Sequence, residues 1–121
     1  MNDVIERKYE SGCGEYGAGN FPKAATIFWD CVAVGHAKAA THLGQMYMNG
    51  DGIPADSGAA IELLEKGILW GDWNAAWTLA TAFQSGNHGL PRDLTKSRKF
   101  FLKAKELGCT FPIDEDMPDR G

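Results

Sequence analysis

The chain has 121 residues, an apolar share of 44%, a charged share of 23% and a formal net charge of −4. That length suits one domain with a buried core, and that composition excludes disorder of the whole chain. Asp114, Glu115, Asp116 and Asp119 face only Arg120 within 110–121, so the body is near neutral. A near-neutral body with an acidic end argues against a nucleic-acid reader, which needs clustered Lys and Arg.

The opening residues, Met1 to Lys8, carry charges where the apolar stretch of an export signal would lie, and no run reaches the ~18–20 apolar residues of a spanning helix. The expectation is a cytoplasmic protein without a membrane partner. Cys13, Cys31 and Cys109 are odd in number and widely spaced, which implies no disulfide framework.

In chain order, helical spacing predicts a first helix over 3–17, weakened at Gly12 and Gly14 by roughly 1 kcal/mol per glycine. Asn20-Phe21-Pro22 opens a second over 21–34, with Pro22 in its first turn and Ala24, Ala25 and Phe28 on one face. A third runs over 36–49. Ala39, Ala40, Leu43, Gly44 and Tyr47 form its core stripe, small residues allowing close approach and Leu43 and Tyr47 supplying bulk. Gly50 and Gly52 let the chain turn, Pro54 cannot continue the helix, and Asp56 reads as the N-cap of a fourth helix over 57–69. A fifth spans 73–85. Asp93 caps a sixth over 94–107, where Leu94, Ser97, Phe100, Phe101, Ala104 and Leu107 recur at helical spacing.

The second and third helix pairs repeat one another. Gly35, Ala39, Leu43, Gly44, Tyr47 and Gly50 meet Gly71, Ala75, Leu79, Ala80, Phe83 and Gly86 at an offset of 36 residues. After one inserted residue, Gly52, Ile53, Pro54, Asp56, Leu64 and Gly71 meet Gly89, Leu90, Pro91, Asp93, Phe101 and Gly108 at an offset of 37. Six helices in three antiparallel hairpins, over about 3–34, 36–69 and 72–107, make an all-α solenoid, in which each unit buries its neighbour's apolar face. The expected organisation is a single helical-repeat domain over 1–109 and an acidic tail over 110–121. The tail is either a solvated mobile end or a cover, with Phe111 and Ile113 folding back over the last pair.

AATHLGQMYMNGDGIPAD and its echo AAWTLATAFQSGNHGLPRD resemble the SEL-one-like repeat, a tetratricopeptide relative with an LG–Y helix, a G-x-G turn and an Asp before the second helix. The resemblance covers 35–108. The first hairpin, GEYGAGNFPKAATIF, is closer to the shorter tetratricopeptide turn. Ala80 in place of glycine and the inserted His88 depart from the pattern. The resemblance implies an α-solenoid that binds protein, and it fixes no chemistry.

Nothing in the sequence assembles a reaction centre. His36, His42, His88 and the cysteines show no metal-ligand spacing, and six residues place His36 and His42 on different sides of one helix. Cys31 and His36 flank a turn without an orienting group, and Gly12-Cys13-Gly14 lacks the Lys-Ser/Thr of a phosphate cradle. Glu62, Glu65 and the run Asp114 to Asp116 read as solvated carboxylates. The expectation is a protein that is not an enzyme and carries no metal or cofactor.

Recognition is left. In solenoids of this type the first helix of each pair lines the concave side. The core phase then turns Lys38, Thr41, Gln45, Met48 and Asn49 to the groove, with Trp73, Asn74, Trp77, Thr81 and Gln84 from the later unit; Arg7 and Glu10 extend the set. Trp73 and Trp77 can meet on one face and form a binding hot spot, or fill space between repeats. Trp29 and Trp70 read as packing, and Met46 serves equally as core or adaptable surface. Two roles fit: an adaptor or regulator binding a protein or peptide in the groove, or a bacterial immunity protein neutralising a toxin.

Overall fold

The computed structural model describes residues 2–111. The acidic residues Asp114 to Asp119, and with them Ile113, lie outside the described residues. Six helices follow one another: α1 (Asn2–Gly17), α2 (Phe21–Val32), α3 (Ala37–Asn49), α4 (Ser57–Leu69), α5 (Trp73–Ser85) and α6 (Leu94–Glu106). Among the described residues there is no strand, and no helix is long and apolar enough to cross a membrane.

Local chemistry sets these boundaries. Asp56 accepts from the Ala59 amide at 3.1 Å and Asp93 from the Lys96 amide at 3.0 Å, so each carboxylate satisfies an otherwise orphaned helix donor. Asp72 caps α5 through the Asn74 amide at 3.1 Å. His36 performs the same service for α3: its Nδ1 accepts from the Ala39 amide at 3.1 Å, which places His36 before the helix. Helices α3 and α5 end on Gly50 and Gly86, whose φ of 72° and 70° suits residues without a side chain.

Each pair is antiparallel. Tyr16 meets Phe21 and Tyr9 meets Phe28 across the first hairpin. In the second, Gly44 lies against Ala60 and Leu64, while Gly67 lies against Ala37 and Thr41. In the third, the buried Ser97 hydroxyl donates to the Ala80 carbonyl at 2.8 Å and Trp77 meets Phe101. The core stripe expected on α3 is buried at Ala39, Ala40, Leu43 and Gly44, as are its echoes Ala75, Leu79, Ala80 and Phe83. Met46 is fully buried. Helices α1, α3 and α5 form one layer, with Tyr9 on His42 and α3 touching α5, and α2, α4 and α6 form the other; successive pairs meet chiefly where α2 packs on α3 and α4 packs on α5.

Trp29 departs from the expected packing role, for it is 43% exposed and meets Tyr47 edge-on at 6.3 Å. The buried stripe of α2 runs through Ala24, Ala25, Phe28, Cys31 and Val32. One residue beyond Phe28 is a rotation of about 100°, so Trp29 lies on the flank. Trp70 caps α4 and keeps 36% of its surface exposed.

Candidate functional site

The layer of first helices carries a depression of about 360 Å³ lined from all three of its members: Tyr9 of α1, Lys38, Thr41, His42 and Gln45 of α3, and Trp73 and Asn74 of α5 with the capping Asp72. A ladder of hydrogen bonds stitches its floor. Thr41 Oγ1 donates to Asp72 Oδ2 at 2.7 Å, and the other carboxylate oxygen accepts the Asn74 amide. Gln45 Nε2 donates to Thr78 Oγ1 at 3.0 Å, and that hydroxyl donates to the Asn74 carbonyl at 2.8 Å. Thr81 donates to the Thr78 carbonyl at 3.0 Å. A second depression, of about 170 Å³, lies further along the α3–α5 seam and is lined by Met48, Asn49, Thr78, Thr81, Ser85, Asn87 and His88, among others.

The sequence-derived residues divide into three groups. Lys38, Asn49, Asn74 and Gln84 are exposed, and Gln45, Trp73 and Thr81 are half-buried. Thr41 and Met48 line the depressions but are buried, at 2% and 6% exposure, which corrects the expectation that they stand open to the groove. Thr41 turns into the seam with the next pair, where Asp72 holds it. Met48 packs with Leu79, Ala82 and Phe83. Trp77 is half-buried. It lines neither depression and meets Phe101 at 5.0 Å and Phe111 at 5.2 Å, both edge-on. Phe111 also meets Trp73 at 5.3 Å, so the short stretch from α6 to Phe111 brings this ring against both tryptophans. At the repeat offset of 36, Trp77 occupies the place of Thr41. Both residues face the seam at the far side of their own pair; α5 fills that seam for Thr41, and Phe111 covers it for Trp77.

On α1, Arg7 and Glu10 are exposed, but Tyr9 is the residue that reaches the depression. Thr78 and Asp72 were also missed. The spacing of Asn74 and Thr78, one helical turn apart, was the available signal for Thr78. The geometric rule applied to His36 and His42 fails because His36 caps the helix rather than belonging to it. Both rings meet Tyr9, at 4.7 and 6.2 Å, and His36 Nε2 lies 2.7 Å from Glu6. Since Nδ1 of His36 accepts from an amide, the geometry suits the tautomer with its proton on Nε2.

The electrostatics are those of packing. His42 stacks on Phe28 at 4.6 Å, and burial pushes its pKa down. Burial first, then the hydrogen bond with Cys13, pushes the Tyr9 hydroxyl up. The Cys31 thiol is fully buried and also pushed up by burial, the reverse of an activated nucleophile. Among the described residues no group of three His, Cys, Asp or Glu side chains could hold a metal ion.

The Sel1 repeat model matches residues 37–69 and 73–109, the spans of α3–α4 and α5–α6. The chain superposes on a Sel1 repeat protein from Oxalobacter formigenes with a TM-score of 0.70 and 23% identity, over 79% of this chain and 39% of that one. It superposes on c5321, a protective antigen present in uropathogenic Escherichia coli strains and displaying an SLR fold, with a TM-score of 0.73 and 21% identity, over 89% of this chain and 24% of that one. These likenesses concern the fold, and the chain spans well under half the length of either protein. Among curated proteins, none shows significant sequence similarity to it. Sel1 repeats are generally protein-interaction modules and typically non-catalytic scaffolds. With two consecutive repeats matched and the helices paired as the repeat requires, this chain belongs to the Sel1 repeat family.

Proposed function

We propose that the chain is an adaptor or regulator that binds a protein segment along the face of α1, α3 and α5. The observation that carries this reading is the polar depression bounded by Tyr9 and Trp73, to which three helices contribute. Its hydrogen-bond ladder fixes the side chains of Gln45 and Thr78 in advance, which lowers the ordering cost of binding. Lys38 and Asn74 add exposed polar groups at the rim, suited to the carbonyls and amides of an extended or helical peptide.

The test is affinity purification from the native cell with the wild-type chain, Gln45→Ala and Asn74→Ala, each checked for folding by circular dichroism. The expected result is a partner whose affinity falls at least tenfold in both variants. Folded variants that keep every partner at full affinity would falsify the reading. A single partner held at near-nanomolar affinity, with its killing activity lost in the complex, would favour the immunity role. Micromolar binding to several peptides would favour the adaptor.

A further inference from the structure

The outer layer carries a second surface of different chemistry. Helix α6, LTKSRKFFLKAKE, holds five Lys and Arg side chains against Glu106 alone, in a chain whose net charge is −4. Its buried residues, Leu94, Ser97, Phe101 and Ala104, engage the rest of the fold. Beside α4 it leaves a groove of about 770 Å³, larger than the depression on the opposite layer. Ile68, Phe100 and Leu102 supply apolar lining, and Arg98, Lys99 and Lys103 supply cations. Leu102 is 37% exposed, and Leu69, next to Ile68 on α4, is 78% exposed.

The repeat itself does not ask for this chemistry. At the offset of 37, Lys99 stands where α4 has Glu62, and Leu102 where α4 has Glu65. Both glutamates are exposed on α4, so the scaffold accepts carboxylates at these positions. Helix α6 has exchanged them for a cation and an exposed apolar side chain. An apolar strip beside cations calls for a partner with the complementary pattern, an apolar stripe flanked by carboxylates. A trough that runs along α6 and is bounded on the α4 side by Ile68 suits another helix laid into it.

We infer that the α4–α6 groove docks an acidic amphipathic helix of another protein. This surface is separate from the face of α1, α3 and α5 and leaves that face open to its own partner. Lys103 is already 3.3 Å from Glu106 on its own helix, so Lys99 and Leu102 are the more telling residues.

The test uses the full chain and two synthetic helical peptides with leucines at i, i+4 and i+7, one flanked by glutamates and the other by lysines. Binding is read by fluorescence anisotropy. The glutamate peptide is expected to bind at least tenfold more tightly than the lysine peptide. The double variant Lys99→Glu/Leu102→Glu, which installs the residues that α4 already carries in register, should weaken it at least tenfold, and Gln45→Ala should leave it unchanged. Equal binding of both peptides, no binding, or indifference to the double variant overturns the inference. So does binding to phosphatidylserine vesicles in place of the peptide, which would make the partner a lipid surface. Asp114→Asn/Glu115→Gln/Asp116→Asn should leave the peptide affinity unchanged. A several-fold gain would make the chain's own acidic segment the occupant, and would equally overturn the inference.

Discussion

Gly67 lies where three helices converge, and an alanine there tests the packing that holds the binding face together. A Cβ built on Gly67 would stand 2.5 Å from Thr41 Oγ1 of α3 and 2.8 Å from Ala75 Cβ of α5. Neither neighbour is the loose end of a long side chain. Thr41 is held by Asp72 at 2.7 Å and by the Ala37 carbonyl at 3.2 Å, and Ala75 is fully buried. Alanine gains about 1 kcal/mol of helix propensity over glycine. Overpacking a tight site costs about 1–3 kcal/mol, and displacing Thr41 from a carboxylate adds about 1.5–3 kcal/mol. The net expectation for Gly67→Ala is a loss of about 3 kcal/mol, or a fall in Tm of about 12 °C at roughly 4 °C per kcal/mol. Urea unfolding followed by far-ultraviolet circular dichroism measures it. Thr41→Ala removes the hydroxyl in the way, so Gly67→Ala should cost at most about half as much in that background; the difference is the coupling energy of a double-mutant cycle. A Gly67→Ala protein as stable as wild type, or costs that simply add, would refute this account of the junction.

Two further substitutions probe separate parts of the fold. Asp93→Ala removes the side-chain acceptor for the Lys96 amide and should cost about 1 kcal/mol by thermal unfolding, with Asp93→Asn keeping most of the stability; equal losses in the two variants would point away from capping. His42 is pushed below its ordinary pKa by burial, so the unfolded chain takes up the proton first. Stability from this group is whole above the unfolded value of about 6.5 and is lost as pH falls through it toward the lower folded value. Urea midpoints at about pH 7.5 and 5.5 should therefore separate more for wild type than for His42→Phe. Identical separations would show that His42 contributes nothing to the pH dependence.

The fold was largely legible because every device that builds it is local. Asp56 and Asp93 sit one residue before their helices, and Gly50 and Gly86 one residue after theirs, where capping chemistry requires them. Core phase was legible for the same reason: Ala39, Leu43 and Gly44 share a stripe whichever partner lies above it. The binding face was only half legible. Periodicity says which residues leave the core of their own pair, but not which of those the next pair then covers. Thr41 leaves the Leu43 stripe and meets Asp72, 31 residues away. Met48 leaves it and meets Phe83 in the next unit. Trp29 erred the other way, read as core for its size although it lies on the flank of its helix.

In a chain of repeats, positions that match across units report the scaffold, and positions that differ report what the scaffold has been adapted to do. Gly67 and Ala104 are equivalents at the offset of 37, and both are buried; they differ because α5 crowds the first and the shorter stretch through Cys109 packs beside the second. Thr41 and Trp77 are equivalents, and the difference again follows the covering element, a helix over one and the ring of Phe111 over the other. Packing therefore explains these two substitutions without invoking a partner. The pairs Glu62 with Lys99 and Glu65 with Leu102 have no such explanation, since all four side chains are exposed and neither helix needs them for its core. That residue of unexplained difference is what separates an adapted surface from a solvated one, and it falls on the outer groove rather than on the tryptophans that first draw the eye.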